Sequence, residues 1–202
     1  MKKVWIVLLS LLLVCSVSLA EDAVSSATLN IEKLPEAEAQ DNGILVVYFS
    51  PDDTVRAAAY TIADVLSAEL FEIEPVVPYT AEDLNYMDRK SRSVIEMGDS
   101  EARPEIVGLP EDLSACHTVI LCYPIWGGQA PKIVITFLES VDLTGKTVIP
   151  FATSNSSGIG NSDKTLRSVT GESVEWLTGI GVRRGAGEQD IRLWAESLNL
   201  GK

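Results

Sequence analysis

Apolar residues in this chain fall into two patterns, continuous runs and helical stripes. Residues 44–49 (ILVVYF) form a continuous apolar run, which is typical of a parallel strand buried on both faces. After the short turn SPDDT, apolar residues recur at helical spacing between Val55 and Leu66. A strand, a turn and a helix form the first half of a βαβ unit.

The same alternation returns further along the chain. Strands are predicted over residues 70–74, 117–123, 145–154 and 172–180, and helices over residues 133–141, 163–169 and 188–198. Alternating strands and helices predict an α/β protein with a doubly wound parallel sheet.

Residues 75–110 form a polar connection, with a helical pattern over 83–97. This connection is longer than compact α/β folds need. Two interpretations stay open: a lid near a functional site, or a surface decoration.

The first twenty residues are typical of a secretory signal. Lys2 and Lys3 precede an apolar run over 4–14 and a small-residue site ending at Ala20, so cleavage after Ala20 and export are expected. The run is too short for a transmembrane anchor, so no membrane span is expected after cleavage. Lipid anchoring through Cys15 stays open.

Residues 21–42 are interpreted as a flexible acidic linker, and residues 43–202 as the domain.

The charge of the chain narrows the possible partners. The formal net charge is −13, and loss of the two lysines in the signal would take it to −15. Nucleic acid and anionic lipid are unfavourable partners for such a surface.

Cys116 and Cys122 are six residues apart on one predicted strand, about 20 Å, so they are not expected to form a disulfide.

Three loops are predicted at the carboxyl edge of the sheet, where doubly wound folds bind ligands. They are SPDDT, YPIWGGQAP and ATSNSSGIGNS. The sole histidine, His117, opens a strand at the opposite edge, so no catalytic triad can form around it. No His/Cys/carboxylate cluster has the spacing of a metal site.

Trp126 is the aromatic candidate for ligand binding. It lies between Ile125 and two glycines, where its ring could cover a flat ligand. A surface or core aromatic is the alternative interpretation.

The order of several motifs resembles that of the flavodoxin-like proteins, in particular a subgroup exported by anaerobic bacteria. The motifs are ILVVYFS, EIEPVVPYT, VILCYPIWGGQAP, FLESVDLTGK and IPFATSNSSGIGNS. The resemblance implies a flavodoxin-like three-layer sandwich, with a five-stranded parallel sheet in the order 2-1-3-4-5. It also implies FMN held by the three loops.

The resemblance assigns a role to each loop. The first loop would bind the phosphate through Ser50 and Thr54, the second would flank the flavin ring, and the third would wrap its other edge. The full set of expected FMN-binding residues is Ser50, Asp52, Asp53, Thr54, Pro124, Ile125, Trp126, Gly127, Thr153, Ser154, Asn155, Ser156, Ser157 and Gly158.

The chain departs from the family pattern in two places. Family members usually carry Ser-x-Thr-Gly-Asn-Thr where this chain has the shorter, glycine-free SPDDT, and many have a second Trp where it has Gly127. Asp52 or Asp53 could cap the helix and take the place of the phosphate. A carboxylate beside a bound phosphate would cost about 3 kcal/mol at 5 Å.

The sequence is therefore consistent with two functions. The first is an exported FMN-binding protein that acts in electron transfer or flavin-dependent reduction with an unknown redox partner. The FMN is expected to be noncovalent. The segment DAVSSATL also resembles a flavin-transferase site, with attachment at Thr28, but it lacks the glycine of that site, and a disordered tail is the simpler interpretation. The second function is a cofactor-free binding or envelope-associated module.

Overall fold

The computed structural model describes residues 42–155 and 158–200. The predicted signal, nearly all of the linker, Thr28, Ser156 and Ser157 lie outside these ranges. The strands are β1 Ile44–Tyr48, β2 Glu69–Glu72, β3 Thr118–Pro124, β4 Thr147–Ser154, β5 Glu175–Trp176 and β6 Ile180–Arg183. The helices are α1 Asp53–Leu66, α2 Arg92–Gly98, α3 Lys132–Ser140, α4 Ser162–Thr170 and α5 Glu188–Ser197.

The sheet is parallel and has the order β2-β1-β3-β4-β5, with β6 also paired to β4. The predicted order 2-1-3-4-5 is confirmed. Strands β1 and β3 lie inside the sheet, and every residue of β1 is buried. This burial explains why their sequences are continuous apolar runs rather than alternating patterns.

The side chains of successive strand residues point to opposite faces of the sheet, so they pack into two separate apolar layers. Val47 belongs to one layer, with Phe137 of α3 and Leu166 of α4. Val46 belongs to the other, with Ile62 of α1 and residues of α5. A sheet between two helical layers is the three-layer sandwich that the family resemblance implied.

The last predicted strand, residues 172–180, is broken into β5 and β6. Val148 of β4 aligns with Trp176, and Phe151 aligns with Ile180. The chain therefore advances four residues from Trp176 to Ile180 while β4 advances only three, from Val148 to Phe151. The extra residue is a bulge, and it lies opposite Pro150, which has no N–H to donate to the ladder. The prediction of one continuous strand is therefore wrong.

The helix predicted over 83–97 is also too long, because only α2 is helical there. The side chains of Asn85 and Asp88 accept hydrogen bonds from backbone amides two residues further on, Met87 and Lys90. Such local bonds compete with helix formation, and they explain why this stretch forms turns.

Gly179 lies in the bulge and provides a test of this local packing. An ideal Cβ at Gly179 would lie 2.0 Å from the carbonyl oxygen of Pro150, a backbone atom that cannot rotate away. We expect Gly179→Ala to lower the free energy of unfolding by about 1–3 kcal/mol in urea denaturation. Gly98→Ala is the control, because no atom lies within 4 Å of its added Cβ. Equal stability of the two variants would contradict the bulge geometry.

Candidate functional site

The three predicted loops meet at the carboxyl edge of the sheet. Hydrogen bonds join them and their strands: Phe49 N to the Cys122 carbonyl (3.0 Å), Ile125 N to the Thr153 carbonyl (2.8 Å) and Asn161 N to the Gly128 carbonyl (2.9 Å). These bonds fix the loops relative to one another.

The first loop is organised by Asp52, which is the N-cap of α1. Its Oδ1 accepts a hydrogen bond from the amide of Thr54 at 3.0 Å. The buried Ser50 hydroxyl accepts from the amide of Arg56 at 2.9 Å and donates to the Asp52 carbonyl. Two amides at the helix start, those of Thr54 and Arg56, are therefore already bonded to side chains of the chain itself, and the Thr54 amide is a donor that a phosphate would use.

Asp53 has a different role from Asp52. Its side chain is 92% exposed and pairs with Arg56 at 3.0 Å. Arg56 in turn pairs with Glu72 of β2 at 2.6 Å. Asp53 therefore belongs to a surface ion-pair network, and only Asp52 faces the helix start as a cap.

Arg184 pairs with the carboxylate of Asp52, a contact that sequence reasoning missed. Its Nη2 lies 2.9 Å from Asp52 Oδ2. Two consecutive arginines at the end of the last strand of an acidic chain, Arg183 and Arg184, are the signal that could have indicated this position.

One other donor at the start of α1 stays available. Within the described ranges, the amide of the exposed Asp53 makes no hydrogen bond, whereas Val55 is fully buried and its amide is not accessible to a ligand. Amides at a helix N-terminus favour a bound anion, because the helix dipole adds to their donor capacity. The first loop thus combines an internal anion with one free amide donor beside it.

A cavity of about 460 Å³ opens between the start of α1 and the loop from β6 to α5. Its walls include four of the predicted site residues, Asp52, Asp53, Thr54 and Thr153. Arg183 and Arg184 form the opposite wall. The volume falls within the range of small-molecule sites. The two arginines outnumber Glu188, the one acidic residue on this wall, so the wall carries net positive charge.

A second cavity of about 410 Å³ lies at the amino edge, beside Gly43 and Cys116. Glu69, Glu111 and Asp112 line it, and no lysine or arginine does. Its acidic lining makes it unsuitable for a phosphate, and none of the predicted site residues lies there.

Trp126, from the second loop, is half-buried beside two other aromatic rings. Its ring meets Phe49 edge-on at 5.7 Å and Tyr79 edge-on at 5.4 Å between centroids. The two interpretations of Trp126 are therefore compatible, because the residue packs on the core and keeps part of its surface exposed. Trp126 does not line the cavity beside Arg184.

The glycines after Trp126 form a tight two-residue turn. Gly127 has φ +56° and Gly128 has φ +82°, and Trp126 and Gln129 exchange both backbone hydrogen bonds. Positive φ at both central residues is the pattern of a type I′ turn. The turn explains Gly127, because a Trp at this position would adopt a strained backbone conformation.

The third loop packs closely on the second. Thr153 and Ser154 are buried, whereas Asn155 is exposed. Gly158 has φ +57°, and an ideal Cβ at Gly160 would lie 2.5 Å from the Gly128 carbonyl oxygen. Close backbone contact between the two loops therefore depends on glycine.

Tyr79 brings the connection 75–110 to this edge of the sheet. Its hydroxyl donates to Glu96 at 2.6 Å, and the guanidinium of Arg92 lies 4.0 Å from its ring centroid. Burial, together with the hydrogen bond to Glu96, raises the pKa of Tyr79, so the phenol stays protonated at neutral pH. Through the contact of Tyr79 with Trp126, the connection 75–110 packs against the candidate site. This contact favours the interpretation of the connection as a segment near the site over that of a surface decoration.

Other site classes find no support in the described ranges. No group of three or more His, Cys, Asp or Glu side chains there is placed to hold a metal ion. None of the helices in those ranges has the length and apolar character needed to cross a membrane.

The sequence comparison identifies the family. A family model for flavodoxin matches residues 43–198. The chain belongs to the flavodoxin family. No curated protein matches the chain.

Solved structures agree with this membership. A candidate flavoprotein from Bacteroides eggerthii is 39% identical, with a TM-score of 0.70 and coverage of 77% of this chain and 97% of its own. One from Bacteroides uniformis is 40% identical, with a TM-score of 0.71 and coverage of 76% and 97%. A Lactobacillus acidophilus flavoprotein in complex with FMN shares the fold at 17% identity, with a TM-score of 0.56 and coverage of 75% and 97%.

The cap at Asp52 can be tested by stability measurements. We expect Asp52→Ala to lower the free energy of unfolding by about 1 kcal/mol, because the Thr54 amide loses its acceptor. Asp52→Asn should lose less than half of this amount, since asparagine is also a good cap. Asp53→Ala is the matched control and should be milder, given its exposure. Equal losses for the two alanine variants in urea denaturation would contradict the assignment of Asp52 as the cap.

Proposed function

We propose that this flavodoxin-family protein is exported and binds FMN noncovalently, and that it serves electron transfer or flavin-dependent reduction with a redox partner still to be identified. The observation that carries the proposal is the convergence of the three loops at one edge of the sheet. The loops contribute an aromatic ring, hydroxyl groups and a helix N-terminus. The candidate flavoproteins that share about 40% identity support the same assignment.

The phosphate group of FMN fits the start of α1. The Thr54 hydroxyl and the free Asp53 amide would be its donors, and the Ser50 hydroxyl would join them only by giving up its hydrogen bond to the Asp52 carbonyl. The carboxylate of Asp52 opposes this binding through like charge, but its pairing with Arg184 reduces the repulsion. The donor set is thus suited to a phosphate, although less strongly than a turn without carboxylates.

The ring system of FMN fits the second and third loops. Trp126 offers an aromatic surface beside the strand end, and Thr153, Ser154 and Gly158 of the third loop would lie along the other edge of the ring. When bound, FMN supplies the redox chemistry of such proteins. The side chains of this protein then need only bind and orient it, so no catalytic acid or base is assigned.

The mode of attachment and the location of the protein rest on segments outside the described ranges. Export rests on residues 1–20, and the lipid-anchor alternative rests on Cys15. Covalent attachment at Thr28 stays an alternative to noncovalent binding. These remain predictions from the sequence.

The second candidate function is a cofactor-free binding or envelope-associated module. One observation favours it: Asp52 already satisfies the Thr54 amide and already pairs with Arg184. A self-satisfied helix start is what a lapsed phosphate site would look like. Absence of flavin binding in the wild-type protein would support this function.

A titration with FMN, followed by flavin fluorescence, tests the proposed function. Stacking on an aromatic ring contributes about 1–3 kcal/mol for a nucleic-acid base, so we expect Trp126→Ala to raise the Kd for FMN by about tenfold or more. Trp126→Phe should keep part of the affinity.

Trp194→Phe is the matched control for this titration. Trp194 packs on Phe151 in the opposite apolar layer, so its replacement should leave the Kd for FMN unchanged. A Kd that is the same in wild type and Trp126→Ala would contradict the placement of the flavin ring.

A further inference from the structure

Arg184 is held in place by the edge of the sheet. Its backbone amide donates to the Ser154 carbonyl at the end of β4, at 2.9 Å. The amide of Ala186 donates to the Arg183 carbonyl at 2.9 Å, and Gly185 has φ +78°. This hydrogen-bonded turn, with glycine at its third position, orients the Arg184 side chain toward α1.

The carboxylate of Asp52 is bound on both oxygens. Oδ1 accepts from the Thr54 amide at 3.0 Å, and Oδ2 lies 2.9 Å from Arg184 Nη2. A backbone amide at a helix start and a guanidinium are also the two donor types that bind phosphate best in proteins. Asp52 therefore has the surroundings of an anion site.

The cavity next to this pair has room for a competing anion. Its 460 Å³ volume borders Asp52, Thr54, Thr153 and Arg184. The Asp52 side chain is 34% exposed and that of Arg184 is 53% exposed, so both can move into solvent. The ion pair can therefore open without disturbing the core.

We infer that Arg184 changes partner when FMN binds, from the Asp52 carboxylate to the FMN phosphate, and that it gives the site its preference for FMN over riboflavin. The inference rests on the proposed function and adds a specificity-determining residue to it. A guanidinium can donate two parallel hydrogen bonds to a phosphate, which compensates for the carboxylates of this turn. Riboflavin has no phosphate, so it gains nothing from the exchange.

Arg183 provides the matched comparison. It lines the same cavity and precedes Arg184 directly, but its side chain forms no ion pair or hydrogen bond within the described ranges. Replacing either arginine removes one positive charge from the same wall. A difference in FMN affinity between the two variants would therefore reflect the contact that Arg184 makes with the phosphate, and not the loss of one positive charge.

The test is a titration of the mature protein with FMN and with riboflavin at low salt. We expect Arg184→Gln to raise the Kd for FMN at least tenfold and to leave the Kd for riboflavin within twofold. Arg183→Gln should raise the Kd for FMN less than threefold, and Arg184→Lys, which keeps the charge without the planar fork, should fall between them. Asp52→Asn should strengthen FMN binding, because it removes the competing carboxylate and keeps a cap.

Three results would overturn the inference while leaving the proposed function intact. They are an equal loss of FMN and riboflavin affinity in Arg184→Gln, an equal loss of FMN affinity in the two glutamine variants, and a wild-type protein that binds FMN and riboflavin equally well. A wild-type protein that binds neither flavin would overturn the proposed function, and the inference with it. Urea denaturation of each variant checks that the protein is folded.

Discussion

The structure of the candidate site depends on the unsatisfied amides at the start of α1. A helix that follows a buried strand presents its first N–H groups at the carboxyl edge, and these groups need an acceptor. In this chain Asp52 accepts from the Thr54 amide, and Arg184 balances its charge. The same amides are what a flavin phosphate requires. Under the proposed function, the Asp52 carboxylate and the FMN phosphate therefore compete for one set of donors at this edge.

The rest of the edge is built to hold its loops in fixed positions. Parallel strands bring the ends of β1, β3 and β4 together, and the glycine turn after Trp126 packs against the third loop. Tyr79 contacts the rings of both Phe49 and Trp126, and its hydroxyl donates a hydrogen bond to Glu96. A ligand ring would thus meet a preformed surface rather than one that must order on binding, which lowers the entropic cost of association.

Features encoded locally were predictable from the sequence, and features that depend on distant residues were not. The continuous apolar runs predicted the central strands because both faces of those strands are buried. The break between β5 and β6 depends on Pro150 in a neighbouring strand, and the turns over 83–91 depend on the side chains of Asn85 and Asp88. The sequence narrowed the cap to two aspartates, since both are good cap residues. The role of Arg184 requires contact across more than a hundred residues, so the pair of arginines could indicate a position of interest but not its partner Asp52.

The most direct test of the central claim is a visible absorption spectrum of the protein, purified from its native host, before and after acid precipitation. The account predicts a flavin spectrum that moves into the supernatant, because the FMN is held by noncovalent contacts at the carboxyl edge. A flavin that stays with the pellet would contradict noncovalent binding and indicate attachment at Thr28. A colourless protein that also fails to quench the fluorescence of added FMN would contradict FMN binding. Asp52 would then be the permanent occupant of the phosphate site.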